Sequence, residues 1–322
     1  MAASSREVLV RALTAALLVL VPVVAVSLSP WRDATGLLVL SLLPTLTALA
    51  AGPRATTAAA LATGLTGFLA VLAAGAFAPV TGTLLVVVLA YLTATVSPRG
   101  YHAVGAATIA FAAYLLVDPS RVVEVLDAQA PRLAVAALVL ATTVLAGAWA
   151  LLVRAVLLRG IRLPIRTAPA TLPYGVLLAA LCGAFMLVCL VWFRGTNAWW
   201  AVMTVALILQ PTHADTRTRL GGRIAGTMLG GTAAALVAIV LPGVGAATML
   251  GVLAALASVV LTLAGGAYWL CTTATTISVV LLTFEPSDRL AGDLARVGIT
   301  LVAAGVTAGA VWLAARLAPV PD

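Results

Sequence analysis

Five arginines have the spacing to do chemistry. Arg54, Arg219 and Arg223 fall at corresponding ends of long apolar runs, and Arg132 and Arg296 fall at the opposite ends. A guanidinium offers a rigid fork of N–H donors that matches a carboxylate. Two such positions facing a shared axis would form a vestibule that draws in anions. Anchoring at the cytoplasmic face accounts equally well for the first three. It does not account for Arg132 and Arg296, which could instead pair with Glu124, Asp127, Asp288 and Asp293. Trp199 and Trp200, with Trp31, are able to stack on an aromatic ligand or to anchor helices at the water–lipid boundary. Gln210 and Thr212 flank Pro211, where unwound backbone could line a cavity and leave both side chains free to hydrogen-bond. His213 and Asp215 are the titratable groups of that segment, read either as proton carriers or as ordinary loop residues.

The elements that must position these residues are apolar. Of 322 residues, 63% are hydrophobic and 9% charged, with a mean hydropathy of +1.17. A soluble domain is near half apolar and a quarter charged. The runs are long and do not alternate, so the expectation is an all-α polytopic membrane protein. All 18 basic residues are arginine, and the net charge is +8. They fall in short breaks between apolar runs, which suits membrane topology better than nucleic-acid binding. Intramembrane carboxylates are the usual proton relays, and the acids here read as boundary residues: Asp33, Asp215, Glu285 and Asp293. Cys182, Cys189 and Cys271 have no metal-ligand spacing and read as small apolar fillers. No zinc-protease, nucleophile-elbow or phosphate-loop motif is present, so neither an enzyme nor a cofactor or metal is expected.

Twelve apolar segments are predicted: 8–28, 35–51, 55–76, 80–97, 100–117, 131–155, 173–193, 198–213, 220–241, 244–264, 266–284 and 290–316. The first follows Arg6 and Arg11 and reads as a span, not as a signal peptide. Placing both termini in the cytoplasm puts twelve of the 18 arginines on the inner side. His102 then falls in an inner loop after Pro98. The two halves echo each other. Trp31, Pro44, Arg132 and Trp149 recur as Trp199, Pro211, Arg296 and Trp312, at offsets of 163 to 168 residues. Each half holds six segments, an even number, so the repeat is parallel about an axis near the membrane normal. The expected division is a first six-helix half at 1–153, a basic cytoplasmic linker at 154–172, and a second six-helix half at 173–322.

The stretch from Trp200 to Gly230 resembles the fusaric acid resistance family, the aromatic acid exporters. The residues that carry the resemblance are Trp200-Ala201, Thr204, Leu207 to Pro211, Arg223, Gly226-Thr227 and Gly230. Related bacterial exporters often place a soluble domain between two membrane halves; the short linker here departs from that pattern. The resemblance implies efflux of small organic anions, aromatic carboxylic acids in particular, across a bacterial inner membrane. It implies proton motive force as the energy source and, in double-membraned relatives, an adaptor protein as partner. The expected assembly is a monomer or a homodimer in the lipid bilayer. Two other readings stand beside it: a passive anion channel, as in distant plant relatives, and a non-transporting scaffold or lipid-handling protein.

Overall fold

The computed structural model describes residues 5–31, 34–119, 130–159, 167, 171–240, 244–283 and 289–317. Among them are twelve α-helices and no strand. These are α1 (Ser5–Ser27), α2 (Thr35–Ala48), α3 (Pro53–Ala73), α4 (Ala78–Val96), α5 (His102–Val117) and α6 (Arg132–Leu157), then α7 (Leu172–Trp192), α8 (Trp199–Ile208), α9 (His213–Val240), α10 (Val244–Leu263), α11 (Tyr268–Thr283) and α12 (Arg289–Leu317). Prolines open α3, α4 and α7, where a missing N–H costs nothing.

Seven helices, α3, α4, α6, α7, α9, α10 and α12, are long and apolar enough to cross a bilayer. Among the shorter ones, α2, α5, α8 and α11 run 10 to 16 residues. Ten residues span about 15 Å, half of a hydrocarbon core. Such a helix is stable at membrane depth only if protein covers its broken ends. The two most central are covered. Ala106 to Val117 of α5 are all buried, and so is all of α8 except Leu207. The long helices lie outside and present apolar stripes, such as Leu61, Leu65, Leu69 and Leu72 of α3. That surface is what lipid tails solvate.

Close packing of α9 on α11 positions the functional residues. Gly222, Gly226 and Gly230 recur every four residues and form one smooth face. A Cβ on Gly226 would lie 2.6 Å from the Trp269 carbonyl oxygen, and one on Gly230 would lie 2.6 Å from that of Thr273. Only glycine permits this approach of two backbones. α9 also starts earlier than the hydropathy predicts, at His213 and not near 220. The polar segment expected as a loop is its first turns. Thr212 caps it, donating from Oγ1 to the Asp215 carboxylate at 2.7 Å while accepting from the Asp215 N–H at 3.2 Å. Asp33, Glu124, Asp127, Glu285, Asp288 and most of the 154–172 linker lie outside the described residues.

Candidate functional site

α8 is the scaffold of the site. Its first two residues, Trp199 and Trp200, are buried, 5% and 2% exposed. Their rings meet edge to face at 5.2 Å, and Tyr114 of α5 meets Trp199 at 5.4 Å. On the far side, the Arg296 guanidinium of α12 lies 3.8 Å from the centre of a Trp200 ring. An aromatic chain therefore runs from α5 through α8 to a buried cation. A desolvated cation on an indole face gains about 2 kcal/mol.

Arg296 is 1% exposed. It donates to the carbonyl and hydroxyl oxygens of Thr276 on α11, at 3.2 and 3.3 Å. Its Nε finds no acceptor among the described residues. Arg223, a turn before Gly226 and Thr227 on α9, is also buried, and its Nε and Nη2 have no acceptor among them either. The two arginines are close enough to act on each other electrostatically, and Asp293, one turn before Arg296, acts on it as well. Burying a guanidinium costs several kcal/mol unless charge and hydrogen bonds offset it. Here two buried cations lie close to each other, one carboxylate acts on Arg296, and N–H groups of both are left to spare. The arrangement favours a further anion that accepts hydrogen bonds, and the neighbouring indoles favour one with a flat ring.

A second polar cluster lies at the opposite end of α8. Leu209 and Gln210 leave helical geometry ahead of Pro211. The Gln210 side-chain nitrogen is 2.9 Å from Nε2 of His102 on α5, and the Tyr174 hydroxyl of α7 is 2.8 Å from His102 Nδ1. With the amide donating, Nε2 accepts and Nδ1–H donates to Tyr174, which describes a neutral imidazole. Thr216 holds the Gln210 backbone, accepting from its N–H at 3.0 Å and donating to its carbonyl at 3.1 Å. Arg219 acts electrostatically on His102, and its guanidinium lies 4.8 Å from the Tyr268 ring centre. Four helices and the broken end of α8 meet here.

Several expectations need correction. Arg217, Arg219 and Arg223 are helical, and Arg223 is buried, so it is not a loop residue whose exposure is free of cost. Trp199 and Trp200 are packed in protein and do not mark a lipid boundary; Trp31, 74% exposed, is free to do so. His102 is buried in a hydrogen-bonded chain, not in a loop. Asp293 is 3% exposed inside the bundle. The arginines at corresponding positions are not equivalent: Arg54 and Arg132 are exposed while Arg223 and Arg296 are buried. Thr212 serves as a helix cap, and His213 and Asp215 are exposed. Of the expected residues, Trp199, Trp200, Arg223 and Arg296 come together, and Gln210 and Arg219 meet at the second cluster. Tyr114, Tyr174, His102, Thr276 and Asp293 complete the two clusters. The spacing Asp293, Arg296, Thr300 places all three on one helix face, and that signal was available.

An apolar groove of about 660 Å³ opens between α4 and α7, along Thr83, Tyr91 and Gly183. It carries no charged residue and lies apart from both clusters. Residues 181–315 match the family described as fusaric acid resistance protein-like. The match contains Trp199, Trp200, Arg223, Thr276, Asp293 and Arg296, that is, the interior arginine site except for Tyr114. The resemblance read from residues 200 to 230 therefore extends over residues 181–315. Neither the comparison with curated proteins nor that with solved structures yields a match.

Proposed function

We propose, for a chain whose second half is fusaric acid resistance protein-like, that it exports small organic anions, aromatic carboxylic acids in particular, across a bacterial inner membrane. The observation that carries this is the pair of buried guanidiniums, Arg223 and Arg296, with N–H groups that find no acceptor among the described residues, beside a buried indole. The anion enters at the cytoplasmic end past Arg219. It moves about 6 Å, one helical turn along α9, to Arg223, and then to Arg296. The carboxylate bridges the guanidiniums while the ring lies among Trp199, Trp200 and Tyr114. Access alternates around the broken end of α8, which the Gln210–His102–Tyr174 chain holds in place. The chain acts by transport, not as an enzyme, and works in the lipid bilayer as a monomer or homodimer, with an adaptor protein as a further partner in a double-membraned cell.

The chain forms two parallel six-helix halves, divided at the 154–172 linker, with both termini in the cytoplasm. Packing supports this. α4 packs on α7 and α10 on α1; α5 packs on α8 and α11 on α2. Within each half, α3 packs on α6 and α9 on α12. Exchange of halves about a two-fold axis along the membrane normal generates these pairs. The passive-channel reading rests on the resemblance to distant plant relatives; the reading of every acid as a boundary residue also suited it, and burial of Asp293 removes that second support.

The test is efflux of radiolabelled 4-hydroxybenzoate from proteoliposomes, with protein-free liposomes as baseline. Protein-dependent flux that benzoate inhibits, and that a quaternary ammonium ion does not, is the expected result. Absence of flux above baseline would overturn the proposal.

A further inference from the structure

Asp293 is the third charge of the interior site, and the transport reading leaves it without a task. Its carboxylate rests against Gly231 of α9: a Cβ there would lie 2.9 and 3.0 Å from its two oxygens. It is 3% exposed, and Oδ1 has no hydrogen-bond partner among the described residues. It shares a helix face with Arg296, one turn away. The charges acting on Arg296 are Arg223 and Asp293. The other elements packed against this part of α12 add none: α8 contributes indoles and α11 contributes Thr276. Asp118, also buried, lies at the end of α5 and is not among the charges acting on Arg296.

Two guanidiniums and one carboxylate leave a single positive charge in a region where unbalanced charge is expensive. We propose that Asp293 sets the valence of the transported anion, so that the site takes a monoanion and rejects a dianion. A monocarboxylate completes two carboxylates against two guanidiniums. A dicarboxylate would bring one uncompensated negative charge into the bundle. Removing the charge of Asp293 while keeping its shape would leave two positive charges, and the preference would move to dianions. This inference rests on the anion-transport reading and names the substrate class within it.

The experiment measures binding of benzoate and phthalate to the purified full chain by calorimetry, at a pH where both phthalate carboxylates are ionised. The wild type is expected to bind benzoate more tightly by about tenfold or more, since one unit of tenfold corresponds to about 1.4 kcal/mol. Asp293→Asn is expected to reverse the order, and Asp293→Glu to keep it. A gain of phthalate binding cannot arise from misfolding. Equal or better phthalate binding by the wild type, or an unchanged ratio in Asp293→Asn, would overturn the inference while leaving anion transport intact. Binding of neither anion by the wild type would overturn the transport reading, and this inference with it.

Discussion

Burial at the residue scale separates enclosed tryptophans and arginines from exposed ones. Trp200 and Trp31 are chemically identical, yet Trp200 is enclosed under Arg296 and Trp31 is exposed. Trp200→Ala removes a large buried ring and its cation–π contact, at a cost of about 3–5 kcal/mol. The thermal midpoint of Trp200→Ala should fall by several degrees, and that of Trp31→Ala should stay at the wild-type value. Equal midpoints for the two variants would show that burial has been misread. Hydropathy could not separate the two rings, because both precede apolar runs. The same holds for Arg223: it closes a polar segment with Arg217 and Arg219 that reads as a loop, and its burial shows only once the helices packed around it are known.

At the scale of elements, α9 and α8 do different work. α9 holds its register by glycine packing. Gly230→Ala would drive a Cβ to 2.6 Å from the Thr273 carbonyl, a backbone atom that cannot yield. Overpacking of this kind costs about 1–3 kcal/mol. Gly298→Ala on α12 meets open space and should be neutral or stabilising, as alanine is the better helix former. Thermal unfolding of the two variants side by side tests the α9–α11 contact. α8 is short and broken, and His102 and Tyr174 hold its end. Tyr174→Phe removes one bond of that latch. It should raise the rate of 4-hydroxybenzoate flux with little change in thermal midpoint; unchanged flux would show that the latch does not gate the path.

At the scale of the whole molecule, both-termini-in topology places Arg99 on the cytoplasmic face and Arg132 on the outer face, and both are exposed. Arg99→Cys should react with a membrane-impermeant maleimide only in inverted vesicles, and Arg132→Cys only in right-side-out cells. Cys182 and Cys189 are buried, and replacing the partly exposed Cys271 by Ser in both variants keeps the background low. The reverse pattern would invert the path. Much of this scale was legible beforehand. Long apolar runs forced helices, Pro and Gly punctuated them, and the number and order of helices follow. The interior site was half legible: Trp200, Arg223 and Arg296 stood out by type and spacing. Its asymmetry did not, because the repeat suggested equal roles for Arg132 and Arg296. Side chains against the glycines explain the difference. In the first half the face of Gly67 is filled by Phe111 and Val139, both apolar, whereas Gly230 faces Thr276, which accepts from Arg296. Such pairings join residues far apart in the chain, and no local pattern encodes them.

On the proposed function, one interior arginine site, in the second half, carries the anion. Efflux of 4-hydroxybenzoate from proteoliposomes of Arg296→Gln and Arg132→Gln tests it most directly. Loss of a buried charge partner is worth about 2–5 kcal/mol, so Arg296→Gln should lower flux by more than about tenfold. Arg132→Gln should retain wild-type flux. Normal flux in Arg296→Gln, or equal losses in both variants, would contradict the account.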